Sequence, residues 1–142
     1  MAHNLEWGLE MNKYERETQA RMFATLQSLG VAQADAEALR RISMTLHRWH
    51  EYECGIDNGC IERDETTNKP FWRSSFTGRR HPMQDRETGA LKRLHAIMAR
   101  YPNLKPYVQG DPRGAALYIL RPNDVPAGAD VNAYYSRGIC IF

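Results

Sequence analysis

The chain has 142 residues, of which 42% are hydrophobic and 25% charged, as expected of one globular domain and not of a disordered segment. Its 19 basic and 17 acidic residues give a formal net charge of +2, which argues against a histone-like polycation and against an acidic mimic of nucleic acid. The odd count of 3 cysteines does not fit a secreted disulfide scaffold. We expect a single domain over 1–142, with 1–12 as a mobile extension, no membrane span, no signal peptide and a cytoplasmic location.

Two helices are predicted first. Residues 14–29 carry apolar side chains at helical spacing, and Gly30 is suited to a C-terminal cap. Residues 34–53 repeat the pattern more strongly and end before Gly55. The stripe residues of the two helices are Met22, Leu26 and Leu29, then Leu39, Ile42, Leu46 and Trp49.

The spacing then changes to that of strands. Residues 59–63 and 70–74 flank the polar stretch DETTNK, which predicts a β-hairpin with a loose loop. Residues 76–84 are predicted to form a loop. Asp85 is suited to cap a third helix over 86–101.

The strongest hairpin signal lies in KPYVQGDPRGAALYILR, where two β-rich runs surround a turn rich in glycine, aspartate and proline. The tail is irregular until GICIF, a predicted terminal strand, and its Tyr134 and Tyr135 fit either an interface or core packing. Strands therefore arrive as hairpins and do not alternate with helices. We predict an α+β fold: two N-terminal helices, then an antiparallel sheet built from two hairpins with a helix between them.

A metal site is one interpretation of LHRWHEYECGIDNGC. His47 and His50 share one helix with Cys54, and Cys60 could fold back from the next strand. Imidazole and thiolate are the ligands that zinc prefers, although no CxxC pair is present. The alternative is that the cysteines pack as small hydrophobic residues while the histidines face solvent. Zinc is the cofactor that these four residues suggest.

An acidic set could instead hold magnesium, as in nucleases. Its alternative is a series of solvated ion pairs, because acidic and basic residues interleave along the predicted strands. The set consists of Glu51, Glu53, Glu62, Asp64 and Glu65.

Arginines and aromatic residues form the third candidate, a ligand-binding surface. Arg79 and Arg80 precede the third helix, whose N-terminus favours an anion, and Arg113 would project from the second hairpin turn. Guanidinium groups suit phosphate, and the rings of Tyr107 and Trp72 suit stacking on a nucleobase. The alternative is that turn arginines serve only as soluble turn residues.

The first two helices also invite comparison with a helix-turn-helix, which would make the chain a DNA-binding regulator. The first helix has Leu26 where that motif needs a small residue, so ordinary helix packing explains the pair better. A metal-dependent hydrolase or nuclease is the other alternative function.

Three motifs, LHRWHEYECG, IERDE and YVQGDPRGAALYILRP, resemble those of a family of small accessory proteins carried by bacteriophages, prophages and plasmids. The resemblance implies a protein that acts by binding in the host cytoplasm, as a homo-oligomer. Its expected role is counter-defence: inhibiting a host immune complex or sequestering a nucleotide signal. The expected partner is a host defence protein or a phosphate-bearing nucleotide.

Overall fold

The computed structural model describes residues 12–49, 59–74, 78–83, 85–111 and 114–142. The helices are α1 (Lys13–Ser28), α2 (Gln33–Trp49), α3 (Asp85–Met98) and the short α4 (Val131–Tyr134), which a 3-10 turn continues over Tyr135–Arg137. The strands are β1 (Gly59–Arg63), β2 (Pro70–Ser74), β3 (Arg80–Pro82), β4 (Lys105–Asp111), β5 (Gly114–Leu120) and β6 (Ile139–Ile141).

All described strands form one antiparallel sheet in the order β3-β2-β1-β4-β5-β6. The two predicted hairpins are β1–β2 and β4–β5, and β1 joins them by pairing with β4. Helix α3 connects β3 to β4, so it lies between the hairpins along the chain. The predicted α+β fold is therefore confirmed, including the two N-terminal helices and the terminal strand.

One predicted loop is partly a strand. Within 76–84, Arg80–Pro82 forms β3 and pairs with Phe71–Arg73 of β2. A strand this short at the edge of a sheet has no alternating pattern of its own. Its pairing depends on β2, which lies beside it in space, and not on a local signal.

The link between α1 and α2 is a tight turn set by Gly30. The backbone N–H of Gly30 donates to the carbonyl of Gln27, and that of Val31 donates to the carbonyl of Leu26. This is a Schellman motif, and it needs the positive φ of 91° that Gly30 adopts. At the other end of α1, Asn12 and Glu15 form a reciprocal capping box.

The core lies between the sheet and α1, α2 and α3, which all pack on one face of it. Helix α2 contacts α1, α3 and β5, as expected of ordinary helix packing. Leu29, predicted on the buried side of α1, is 37% exposed because it is the cap residue beyond the last turn. No described helix has the length and apolar character needed to cross a membrane. The fully buried aliphatic side chains include Leu26, Leu39, Ile42, Leu46, Leu94, Leu117, Ile119 and Ile141.

A polar cluster joins the start of α2 to the segment that directly follows α3. Arg100 forms an ion pair of 2.6 Å with the Asp35 carboxylate, and the Tyr101 hydroxyl donates to the same carboxylate. That hydroxyl also accepts from the backbone N–H of Ala32 at 3.0 Å. The hydrogen bond from Arg100, and then that from Tyr101, lower the pKa of Asp35 below its ordinary value.

We expect Tyr101→Phe to lower the free energy of unfolding by about 1–2 kcal/mol, because two hydrogen bonds are lost together. Urea unfolding followed by circular dichroism measures the change. Tyr14→Phe is the matched control, since Tyr14 is 71% exposed. Equal losses in the two variants would contradict a role for the Tyr101 hydroxyl in joining the helices.

The C-terminal tail, residues 121–138 between β5 and β6, covers part of the sheet face opposite the helices. The Tyr135 ring stacks on Tyr107 of β4 at 5.3 Å and meets the edge of Tyr118 of β5 at 5.0 Å. Arg121 links the beginning of the tail to its end, because its guanidinium pairs with Asp124 and donates to the carbonyl of Arg137. Tyr135 therefore packs within the protein.

Candidate phosphate-binding cavity

A cavity of about 630 Å³ opens where the β1–β2 turn approaches β3 and the start of α3. Two carboxylates, Asp64 and Asp85, share its wall with the aromatic ring of Phe71. Its cationic side chains outnumber these carboxylates, so the cavity favours an anion. The four cations are Arg63, Lys69, Arg80 and Lys92.

The β1–β2 turn is built around Asp64. One of its carboxylate oxygens accepts from the backbone N–H groups of Thr66 at 2.8 Å and Thr67 at 2.9 Å. These bonds, together with the Arg80 guanidinium, lower the pKa of Asp64 to about 2. Asn68 completes the turn with a φ of 59°, a left-handed conformation that asparagine tolerates. The loop predicted to be loose is thus a defined turn.

Arg80 is the best-positioned cation of the cavity. Its guanidinium pairs with Asp64 at 2.7 Å and lies 4.2 Å from the centre of the Phe71 ring. The side chain nevertheless stays 51% exposed. A guanidinium that is held at one side and half-exposed keeps N–H donors available for a phosphate, and little side-chain entropy is lost on binding.

The remaining cations surround Arg80 from different elements. Arg63 donates to the backbone carbonyl of Asn68 at 2.9 Å, which holds its chain against the turn. Lys69 and Lys92 are exposed, and neither forms an ion pair with any residue in the described ranges. Thr88 adds a hydroxyl from the first turns of α3, whose N-terminus carries partial positive charge.

Of the predicted ligand-binding residues, the structure brings Arg80 to this cavity. Arg79 is exposed beside it but does not line the cavity. Tyr107 lies on β4, stacked under Tyr135. Trp72 pairs in register with Ile61 and His81, and its side chain lies outside the described part of the structure, as does Arg113.

Sequence reasoning missed Arg63, Lys69, Lys92 and Phe71. One signal was present, because Arg63 and Lys69 flank the DETTNK turn and a hairpin brings its two ends together. Lys92 had no such signal. It reaches the cavity because α3 returns beneath the hairpin, which is a tertiary effect.

The predicted metal set falls mostly outside the described residues. His47 is half-buried on α2, whereas His50 and Cys54 lie beyond its described end, and of Cys60 only the strand pairing with Arg73 and Gln109 is described. Within 12–49, 59–74, 78–83, 85–111 and 114–142, no group of three or more metal-ligating side chains lies close enough to hold an ion. Zinc binding by the full set stays a prediction.

Two members of the acidic set form ion pairs in the described part of the structure, as the alternative to a magnesium site predicts. Glu62 pairs with Arg73 at 3.0 Å, and Asp64 pairs with Arg80. Glu65 is exposed, and Glu51 and Glu53 lie outside the described residues. These pairs are partly exposed and contribute little to stability one by one.

Comparison of the chain with models of protein families, with curated proteins and with solved structures gave no match. The resemblance to accessory proteins of phages and plasmids stays a prediction.

Proposed function

We propose that this protein acts by binding a phosphate-bearing ligand in the cavity beside Arg80. The observation that carries the proposal is the convergence of three further cationic side chains on the cavity of the Arg80 guanidinium, which Asp64 and Phe71 hold in place. Charge-assisted hydrogen bonds from a fixed guanidinium are the strongest that a side chain offers to a phosphate. The volume of about 630 Å³ lies within the usual range of small-ligand sites, about 300–1,000 Å³.

The biological role that we propose with this site is sequestration of a nucleotide signal by a mobile-element accessory protein in the host cytoplasm. The family resemblance supports the role, and the cationic cavity supports the class of ligand. A host defence protein is the other partner that the resemblance implies. Phosphate binding by the purified protein distinguishes the two, since only the first requires it.

We expect Arg80→Ala to weaken the binding of inorganic phosphate and of nucleoside phosphates by about tenfold to a hundredfold, because a hydrogen bond to a charged group contributes about 1.5–3 kcal/mol. Isothermal titration calorimetry measures the change. The affinity of the unaltered protein should also fall as salt rises, since the site is partly exposed.

Arg41→Ala is the matched control. Arg41 is an exposed arginine on α2 that does not line the cavity, so the variant loses the same charge at a different place. Equal losses of affinity in the two variants would mean that net charge alone attracts the anion. Unaltered affinity in Arg80→Ala would remove this cavity from the function.

A further inference from the structure

A second cavity, of about 280 Å³, lies on the other side of the Arg63–Pro70 pair. Arg63 and Pro70 line both cavities, so the two cavities adjoin at this pair. The second cavity differs in chemistry, because most of its lining is apolar. Its apolar residues are Ile61, Pro70, Leu91, Leu94, Pro106 and Val108.

The second cavity exists because the two hairpins diverge. Among the described residues, β1 pairs with β4 only at Gly59 and Cys60, whereas its pairing with β2 continues to Arg63. From Ile61 onward a cleft therefore opens in the sheet between β1 and β4. Tyr107 lines the cleft from β4, and its ring belongs to the sheet face that the tail covers.

Helix α3 forms part of the wall of both cavities. Asp85, Thr88 and Lys92 line the cationic cavity, at spacings of three and four residues that place them on one side of the helix. The next stripe of the same helix, which includes Leu91 and His95, lines the apolar cleft. A ligand that lies across this helix would meet cationic groups at one end and apolar ones at the other.

We propose that the two cavities form one composite site for a nucleoside phosphate, with the phosphate beside Arg80 and the base in the apolar cleft. This inference rests on the proposed phosphate binding and specifies the rest of the ligand. A nucleobase is flat and largely apolar with a polar edge, and the cleft combines aliphatic walls with the polar side chains of Glu62, Arg63, His95 and Tyr107. The combination matches a ligand with one charged end and one aromatic end.

His95 supplies a polar contact in the cleft. His95 stays exposed by surface area, and partial desolvation, and then the positive charge of Arg63, lower its pKa below the ordinary value of 6.5. The imidazole is therefore mostly neutral at neutral pH, when one ring nitrogen donates and the other accepts. Such a pair of groups suits the edge of a base, where donors and acceptors alternate.

The test compares probes that share a phosphate and differ in the base. Inorganic phosphate, ribose 5-phosphate and the nucleoside monophosphates AMP, GMP, CMP and UMP are titrated against the unaltered protein. We expect at least one nucleotide to bind about tenfold or more tightly than ribose 5-phosphate, since the base buries apolar surface in the cleft. Equal affinities for ribose 5-phosphate and all four nucleotides would overturn the inference while leaving phosphate binding in place.

His95→Trp fills the cleft and leaves the lining of the cationic cavity unchanged. We expect it to reduce nucleotide affinity to that of ribose 5-phosphate, with phosphate affinity within about twofold of the original. Ala96→Trp is the matched control, because Ala96 is the next residue of α3, is exposed and lines neither cavity. A nucleotide preference that survives in His95→Trp would contradict base binding in the cleft.

Failure of the proposed phosphate binding would give results different from failure of base binding alone. If none of the phosphate-bearing probes binds, or if Arg80→Ala binds them all as well as the unaltered protein does, both the cationic cavity and the composite site are excluded.

Discussion

Leu117→Ala is expected to lower the free energy of unfolding by about 2–5 kcal/mol, the range found when a buried leucine leaves a cavity. Leu117 is 0% exposed in the middle of β5, and its strand partners are Val108 and Ile141. The helices cover this face, and a central strand cannot move to fill the lost volume without breaking its pairing on both sides.

Urea denaturation followed by circular dichroism measures the loss, with the slope m showing whether unfolding remains two-state. Leu29→Ala is the matched control, because it removes the same atoms from a side chain that is 37% exposed at the end of α1. We expect the control to cost less than about 1 kcal/mol. Equal costs would contradict the position of Leu117 in the core.

Gly138→Ala is expected to lower the free energy of unfolding by about 1–3 kcal/mol or more, the usual cost of overpacking. A Cβ at this position would lie 2.5 Å from a methyl carbon of Leu120 and 2.9 Å from the carbonyl oxygen of Ile119. The leucine can turn aside, but the carbonyl belongs to β5, which pairs there with β6 at Ile139. Relief of the clash therefore requires the tail to move away from the sheet.

Gly89→Ala is the control, and its expected change in stability has the opposite sign. Gly89 lies inside α3, where an added Cβ would meet only the end of the Arg93 side chain at an ordinary 3.5 Å. Alanine in a helix interior is more stable than glycine by about 0.5–1 kcal/mol, so this variant should gain stability. Thermal unfolding of both variants compares the signs, and a stabilised Gly138→Ala would show that the tail does not pack on β5 as described.

Both strands of the first hairpin could be predicted from the local sequence pattern. The strands predicted at 59–63 and 70–74 are those of the structure, Gly59–Arg63 and Pro70–Ser74. Apolar periodicity likewise predicted α1, α2 and α3 to within a few residues at their described ends. These elements are determined by neighbours along the chain, which is why one sequence was enough to predict them.

The candidate site was predicted only at Arg80. The arginine-rich segment before α3 indicated an anion site there, and the structure adds Lys92 from α3 and Lys69 from the hairpin turn. Their convergence depends on α3 returning under the β1–β2 hairpin. The contact between Asp64 and Arg80 likewise joins a turn to an edge strand that local sequence did not reveal.

By itself, the sequence determined the class of fold, the order of the helices and hairpins, and the apolar side of each helix, because these follow from spacing and turn chemistry within short segments. Only the tertiary structure decided that the three long helices share one face of the sheet and that Tyr135 packs against the other. It also decided that β1 pairs with β4 for two positions and then diverges. Pairing between segments about 50 residues apart is chosen by the packing of the whole core, and no local pattern encodes it. The cleft beside the cationic cavity is a direct result of that pairing.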